Sequence, residues 1–178
     1  MKTSIARVLF SLALAVAWLT PTAPVLAQAS VGDNALSYTD QDFISQLYQE
    51  VVASQRLAGL AVNQGMKGSV RSLAGSTVES LRQIRETVRI LARKKGVTIT
   101  DELIAQNQDA VDKLSSASGD DFDRTYLDIL LQYLPRILSR CESVAASTQD
   151  PDLKALASGL VPNLKSRIAA VEAVKSDL

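Results

Sequence analysis

From about residue 39 to the end of the chain, apolar residues recur at every third or fourth position, the spacing that places them along one face of an α-helix. A first helix is predicted to open at Thr39 or Asp40, with Asp42 three residues after Thr39 in capping-box fashion. Its apolar side carries Phe43, Leu47, Val51, Leu57 and Ala61, and it stops near Asn63-Gln64-Gly65. A second helix runs from about Ser69 to Lys95 on a seam of Val70, Leu73, Ala74, Val78, Leu81, Ile84, Val88, Leu91 and Ala92. Arg93, Lys94 and Lys95 complement the negative end of its dipole, and Gly96 terminates it.

A short helix follows, capped by Thr100 with Asp101 and Glu102 in its first turn, and closing around Ser115 to Ser118. Its stripe is Leu103, Ile104, Ala110, Val111 and Leu114. Ser118 with Asp121 starts another long helix that reaches about Ser147 through Phe122, Tyr126, Leu130, Tyr133, Leu134, Ile137, Leu138, Cys141 and Val144. The last begins at Asp150-Pro151-Asp152, where the missing proline N–H costs nothing, and buries Leu153, Leu156, Leu160, Leu164, Ile168, Val171 and Val174. Pro135 and Pro162 fall inside these helices. A kink is the least costly way to take up each, and at Pro135, where the alternative is a helix split in two, the apolar phase is kept across the proline.

The pattern is two long helices, a connection of about two dozen residues with a short helix in it, and two more long helices. Rods of about 24 to 28 residues span about 36 to 42 Å and pack as a bundle. A single long middle crossover is the ferritin-like variant of the four-helix bundle, so the fold class expected is all-α of that kind, over residues 39–178.

Ahead of the helices, Lys2 and Arg7 precede an apolar run from Val8 to Leu19 and a small-residue stretch ending Val25-Leu26-Ala27, the pattern of a secretory signal peptide cleaved after Ala27. A run of about twelve apolar residues is short of the roughly twenty that span a bilayer, so no membrane span is expected after cleavage. No cysteine stands near the cleavage site to carry a lipid. Residues 28–38 read as a flexible segment, and the mature chain is expected in the periplasm or secreted.

Lys2 and Arg7 are two of 19 basic residues; without them 17 stand against 19 acidic ones, which offers no electrostatic handle to nucleic acid. Once Phe10 and Trp18 leave with the leader, the aromatics are Tyr38, Phe43, Tyr48, Phe122, Tyr126 and Tyr133, too few for both a core and a base-stacking platform. Cys141 is the one cysteine, so it forms no internal disulfide, and its place on an apolar stripe makes it a small core residue. The chain has no histidine. A serine or cysteine nucleophile would therefore need a lysine or amine as its base, and no such arrangement is visible. Gly65-Met66-Lys67-Gly68-Ser69 lacks the spacing and preceding strand of a phosphate loop and reads as an interhelical turn.

Several short motifs stand in order at compatible spacing. They are Arg93-Lys94-Lys95-Gly96-Val97-Thr98, Asp112-Lys113-Leu114, Asp121-Phe122-Asp123-Arg124-Thr125-Tyr126, Asp150-Pro151-Asp152-Leu153-Lys154-Ala155 and Val161-Pro162-Asn163-Leu164-Lys165. Over about Phe43 to Val174 the chain resembles the exported bacterial family known as domain of unknown function 4142. The resemblance implies a ferritin-like bundle outside the cytoplasm, of undefined biochemical role, with metal binding and envelope stress protection as the functions ascribed to the family.

The departures from the family pattern bear directly on that role. Histidines typical of the family fall here on Leu81, Tyr133 and Arg167, and acidic positions of its first helix fall on Ser54 and Arg56. A di-metal site in such a bundle needs carboxylates and imidazoles converging from facing helices. What remains is carboxylate only: Glu50, Glu79, Glu86, Asp128, Glu142 and Glu172 lie mostly off the apolar stripes, where solvation and intrahelical pairs such as Arg82 with Glu86 account for them. No metal, cofactor or catalytic residue is assigned.

Arg82, Arg85, Arg89 and Arg93 share roughly one face of the second helix and form the candidate surface for an anionic partner, with partial neutralisation by Glu79 and Glu86 as the plainer reading. Three functional readings stand. The leading one is a non-catalytic structural or interaction module engaging an unidentified envelope partner. The others are a metal-dependent protein using carboxylates alone and a peripheral binder of anionic membrane or polymer.

Overall fold

In the computed structural model, which describes residues 36–178, the chain forms five α-helices: α1 (Tyr38–Gln64), α2 (Gly68–Lys95), α3 (Ala105–Ser116), α4 (Gly119–Ser147) and α5 (Pro151–Ser176). The leader expected over residues 1–27, and most of the segment 28–38, lie outside the described residues. The four long helices have 26 to 29 residues, so each is about 40 Å long. Neither proline ends its helix: α4 continues through Pro135 and α5 through Pro162.

Local chemistry explains most boundaries. Asp150 caps α5 by accepting from the N–H groups of Asp152 and Leu153, each at 3.0 Å, with Pro151 as the first helical residue. Gly96 closes α2 at φ 69°, and the Val97 N–H then reaches back to the Ala92 carbonyl at 2.9 Å. This left-handed turn suits a residue without a Cβ. The cap of α1 is Ser37, not Thr39: Ser37 Oγ accepts from the Asp40 N–H at 3.1 Å, starting the helix a residue or two earlier than the capping-box pattern implies.

The expected start of the short helix at Thr100 is also corrected. Residues 100–104 are not helical, and Gln49 of α1 takes their backbone groups. Its Nε2 donates to the carbonyls of Thr100 and Glu102, both at 2.8 Å, and its Oε1 accepts from the Ile104 N–H at 3.1 Å. A long-range amide clamp thus outcompetes a local cap, and Ile104 sits about half exposed at the start of α3 rather than on its inner stripe.

End-to-end contacts set the topology. Lys95 at the end of α2 pairs with Asp150 at the start of α5. The Asp123 carboxylate near the start of α4 accepts from the N–H groups of Met66 and Lys67 in the α1–α2 turn, at 2.9 and 2.7 Å. Lys175 at the end of α5 meets Asp128 near the start of α4 at 2.6 Å. Hence α1 and α5 run one way, α2 and α4 the other, and the crossover with α3 travels the length of the bundle.

Two apolar clusters fill the interior. One gathers Phe43, Leu47, Tyr48, Val88, Ile137, Cys141 and Leu153 at the end where α2 finishes; the other gathers Leu57, Val70, Leu114, Phe122, Tyr126, Leu130 and Val171 at the opposite end. Each large side chain buried this way contributes about 1.5 to 3 kcal/mol. Helices α1 and α2 pack closely, as do α4 and α5, whereas α2 and α5 touch sparingly.

Candidate functional site

The sparse α2–α5 seam opens a cavity of about 50 Å³ near mid-bundle, where the two apolar clusters meet. Thr77, Ser80, Leu81 and Ile84 of α2 and Leu160, Asn163, Leu164 and Arg167 of α5 form its walls; Leu47, Glu50, Val51 and Ser54 of α1 and Leu130, Leu134 and Ile137 of α4 form its floor. The exposed lining is overwhelmingly apolar. Helical phase puts the polar members there: Thr77 falls between Ala74 and Leu81 on the seam of α2, and Arg167 between Leu164 and Val171 on that of α5.

Arg167 is half-buried, and its guanidinium donates to the hydroxyl of Thr77, which in turn donates to the Leu73 carbonyl at 2.7 Å. Among the described residues no carboxylate pairs with Arg167, and burial draws its pKa below the usual arginine value, opposed only by the Tyr126 phenol beside it. Tyr126 is fully buried, and burial pushes its phenol up to about 12 against the opposing pull of the Thr77 hydroxyl and the Arg167 charge. Elsewhere in the lining, Glu50 Oε1 pairs with Arg140 at 2.8 Å while Oε2 is buried without a partner; desolvation raises its carboxyl against the pull of Arg140.

Three positions where the resemblance would place ligands, Ser54, Leu81 and Arg167, therefore meet at this one cavity. The other two do not: Tyr133 lies under Arg136 at 4.8 Å and donates to the Gln106 carbonyl, and Arg56 donates to the Asp101 carbonyl at 3.0 Å.

The residues present do not fit a metal. Around the cavity stand one carboxylate, already held by arginine, a few hydroxyls and a fixed guanidinium that repels cations. The other acids are dispersed: Glu79 meets Arg82, Glu86 meets Arg89 and Arg93, Asp128 meets Lys175, Glu142 meets Lys165, and Glu172 is exposed. Among the described residues no three of His, Cys, Asp or Glu converge. The soft donors there do not meet either, Met66 being exposed in the α1–α2 turn and Cys141 wholly buried near the other end, its thiol pushed up to about 12 by burial.

Arg82, Arg85, Arg89 and Arg93 of α2 do not share one free face. Arg85 bonds Asp101 at 2.6 Å and also reaches the Tyr48 hydroxyl and Gln55; Arg89 donates to the Tyr48 hydroxyl at 2.8 Å. Tyr48 donates to Asp101 at 2.5 Å, and this bond, with the Arg85 contact, holds the Asp101 carboxyl below the usual range. These two cations pin the crossover to α1 and α2. Arg82 and Arg93 remain exposed, beside Glu79 at 3.4 Å and Glu86 at 3.8 Å.

The fold and its central cavity define an all-α bundle with one long crossover. The sequence profile described as Domain of unknown function (DUF4142) matches residues 25–174, and the chain belongs to that family. No curated protein matches it in sequence. Among solved structures it is similar to a DUF305 fragment from Deinococcus radiodurans, with a TM-score of 0.72 and 16% identity over 80% of this chain and 99% of that one. It is also similar to CopM in the Cu(I)-bound form, with a TM-score of 0.67 and 15% identity over 79% of this chain and 98% of that one. At such identities the likeness is one of fold. Among the described residues no helix is long and apolar enough to cross a membrane.

Sequence reasoning reached Arg167, Leu81 and Ser54 only as lost ligand positions. It missed Thr77 and the Glu50–Arg140 pair. The available signal was a polar residue in phase with an apolar seam, which Thr77 and Arg167 both display.

Proposed function

We propose that this ferritin-like bundle acts outside the cytoplasm as a non-catalytic structural or interaction module linked to envelope stress, and does not work as a metal centre. The observation that carries the reading is the lining of the α2–α5 cavity, where Ser54, Leu81 and the cationic Arg167 stand at family ligand positions. A guanidinium supplies a permanent positive charge in a cavity of low polarity, so a second cation is repelled there. Copper(I), the ion of the CopM structure, favours thiolate and thioether donors, which Met66 and Cys141 do not bring together. The leader pattern before Gln28 supports the compartment.

The test is elemental mass spectrometry of the protein purified from its export compartment without affinity tag or chelator. Iron, zinc, manganese and copper are each expected far below one equivalent, on a chain whose first residue is Gln28. One equivalent of any of them would overturn the metal-free reading, and a retained leader would overturn the compartment.

A further inference from the structure

Between α2 and α5 the half-buried Arg167 is a cation with no counter-charge among the described residues. A guanidinium has five N–H donors, and the partner given to Arg167 is a neutral hydroxyl whose own proton is already directed to Leu73. Beside it stands the buried Tyr126 phenol, which lies close to the same Thr77 hydroxyl and brings no negative charge. Glu50 does not balance this charge, because Arg140 neutralises it. With Arg140, which stands outside the lining, set against Glu50, the charge left over is that of Arg167, and a cation partly withdrawn from water favours an anion beside it.

The rest of the cavity constrains that anion. Its walls at Leu81 and Ile84 and its floor at Leu47, Val51, Leu130 and Leu134 are hydrocarbon, which suits an alkyl tail and not a second charged group. The enclosed space of about 50 Å³ holds on the order of four water-sized groups, and the seam between α2 and α5 leaves one side open. One guanidinium matches one carboxylate in bidentate geometry and leaves a dianion half-neutralised.

We propose that the α2–α5 cavity binds a small aliphatic monocarboxylate, with the carboxylate on the Arg167 guanidinium beside Thr77 and the alkyl tail against the leucines of the floor and walls. This deepens the proposed role by naming a ligand class, and it rests on the metal-free reading of the same cavity. Free short-chain acids and the long-chain fatty acids released from lipids share this chemistry.

The experiment is an NMR titration of the purified protein with butyrate, with 1-butanol and butylamine as neutral and cationic controls, and with dodecanoate. Butyrate is expected to shift Thr77, Leu81, Leu164 and the Arg167 Nε–H saturably, with 1-butanol binding about tenfold more weakly or worse, since a charge-assisted hydrogen bond is lost. Arg167→Met should weaken butyrate by about tenfold or more, and Arg167→Lys should retain part of the affinity. Arg167→Met keeps an unbranched stem and removes the uncompensated charge, so its fold is expected to persist, which circular dichroism checks. Leu81→Trp, which fills the rim while leaving Arg167 in place, should also weaken binding. Dodecanoate no tighter than butyrate assigns short-chain acids as the source; tighter dodecanoate assigns free long-chain fatty acids whose tails leave through the open side. No saturable shift with butyrate, equal binding of 1-butanol, or unchanged affinity in Arg167→Met would each overturn the site. A stoichiometric metal would sink the metal-free reading, whereas a metal-free protein that ignores butyrate would sink only this inference.

Discussion

Arg85 and Arg167 face opposite flanks of α2, and the fold treats them in opposite ways. Arg85, reaching toward α1 and the crossover, bonds Asp101, Tyr48 and Gln55, and its pKa is raised chiefly by the Tyr48 and Asp101 hydrogen bonds. Arg167, reaching from α5 to the other flank, meets only the Thr77 hydroxyl, and burial lowers its pKa. The same side chain completes a structural clamp in one place and leaves an open charge beside a cavity in the other. Pairing, more than burial, separates an arginine the fold uses from one that awaits an external partner.

The sharpest way to break this comparison is to remove the centre of the clamp. Tyr48 is 1% exposed and links Arg85, Arg89 and Asp101. Tyr48→Ala is expected to lose about 4 kcal/mol, whereas Leu81→Ala on the half-exposed rim of the cavity should lose about 1 kcal/mol. Urea denaturation followed by circular dichroism measures both, and equal losses would mean the two flanks of α2 are equally committed to stability.

A smaller effect separates the two arginines themselves. Arg85→Met removes a partnered charge from a partly solvated site and should cost about 1 kcal/mol or less after screening. Arg167→Met removes an unpartnered one and should leave stability unchanged or raise it by up to about 1 kcal/mol. A clear destabilisation by Arg167→Met, in protein free of added ligand, would show that the fold satisfies this charge internally.

The smallest effect is in pH. Asp101, Asp150 and Asp152 have folded carboxyls below their ordinary values, through hydrogen bonds and ion pairs with Tyr48, Arg85, Lys94 and Lys95, and Asp152 lies at about 2. Their unfolded forms bind protons first, so the stability they contribute is full above pH of about 4 and is lost as pH falls toward about 2. Glu50 has the opposite sign: burial raises its folded pKa, so its contribution is full below its ordinary value and is lost as pH rises through the folded one. In thermal melts across pH 2 to 7, Asp101→Asn should flatten the acid limb, and Glu50→Gln should remove the loss on the upper side. An acid limb unchanged by Asp101→Asn would mean that the clamp holds through the uncharged contacts of Tyr48.

How much was legible follows the range of the interactions. Helices α2, α4 and α5 begin and end within a residue or so of the positions that Gly96, Ser118 and Asp150-Pro151 mark, because caps and dipoles act over one turn. Thr100 misled because Gln49, some fifty residues away, claims the backbone that a local cap would have organised. The stripe of Arg82, Arg85, Arg89 and Arg93 was legible as a face of α2, but helical spacing carries no information about the Asp101 and Tyr48 that receive two of its members. Likewise, Arg167 was visible as a departure from the family pattern. That it shares a cavity with Ser54 and Leu81, whose one carboxylate, Glu50, is taken by Arg140, depends on how α2 and α5 diverge.

The sequence alone determined the helical periods, the four matched rods, the long crossover with its short helix and the absence of histidine, since these are one-dimensional properties of spacing and composition. Only the tertiary structure decided which charges find partners. Pairing is set by distances between side chains on different helices, and electrostatic energy falls with separation in space while sequence records only separation along the chain.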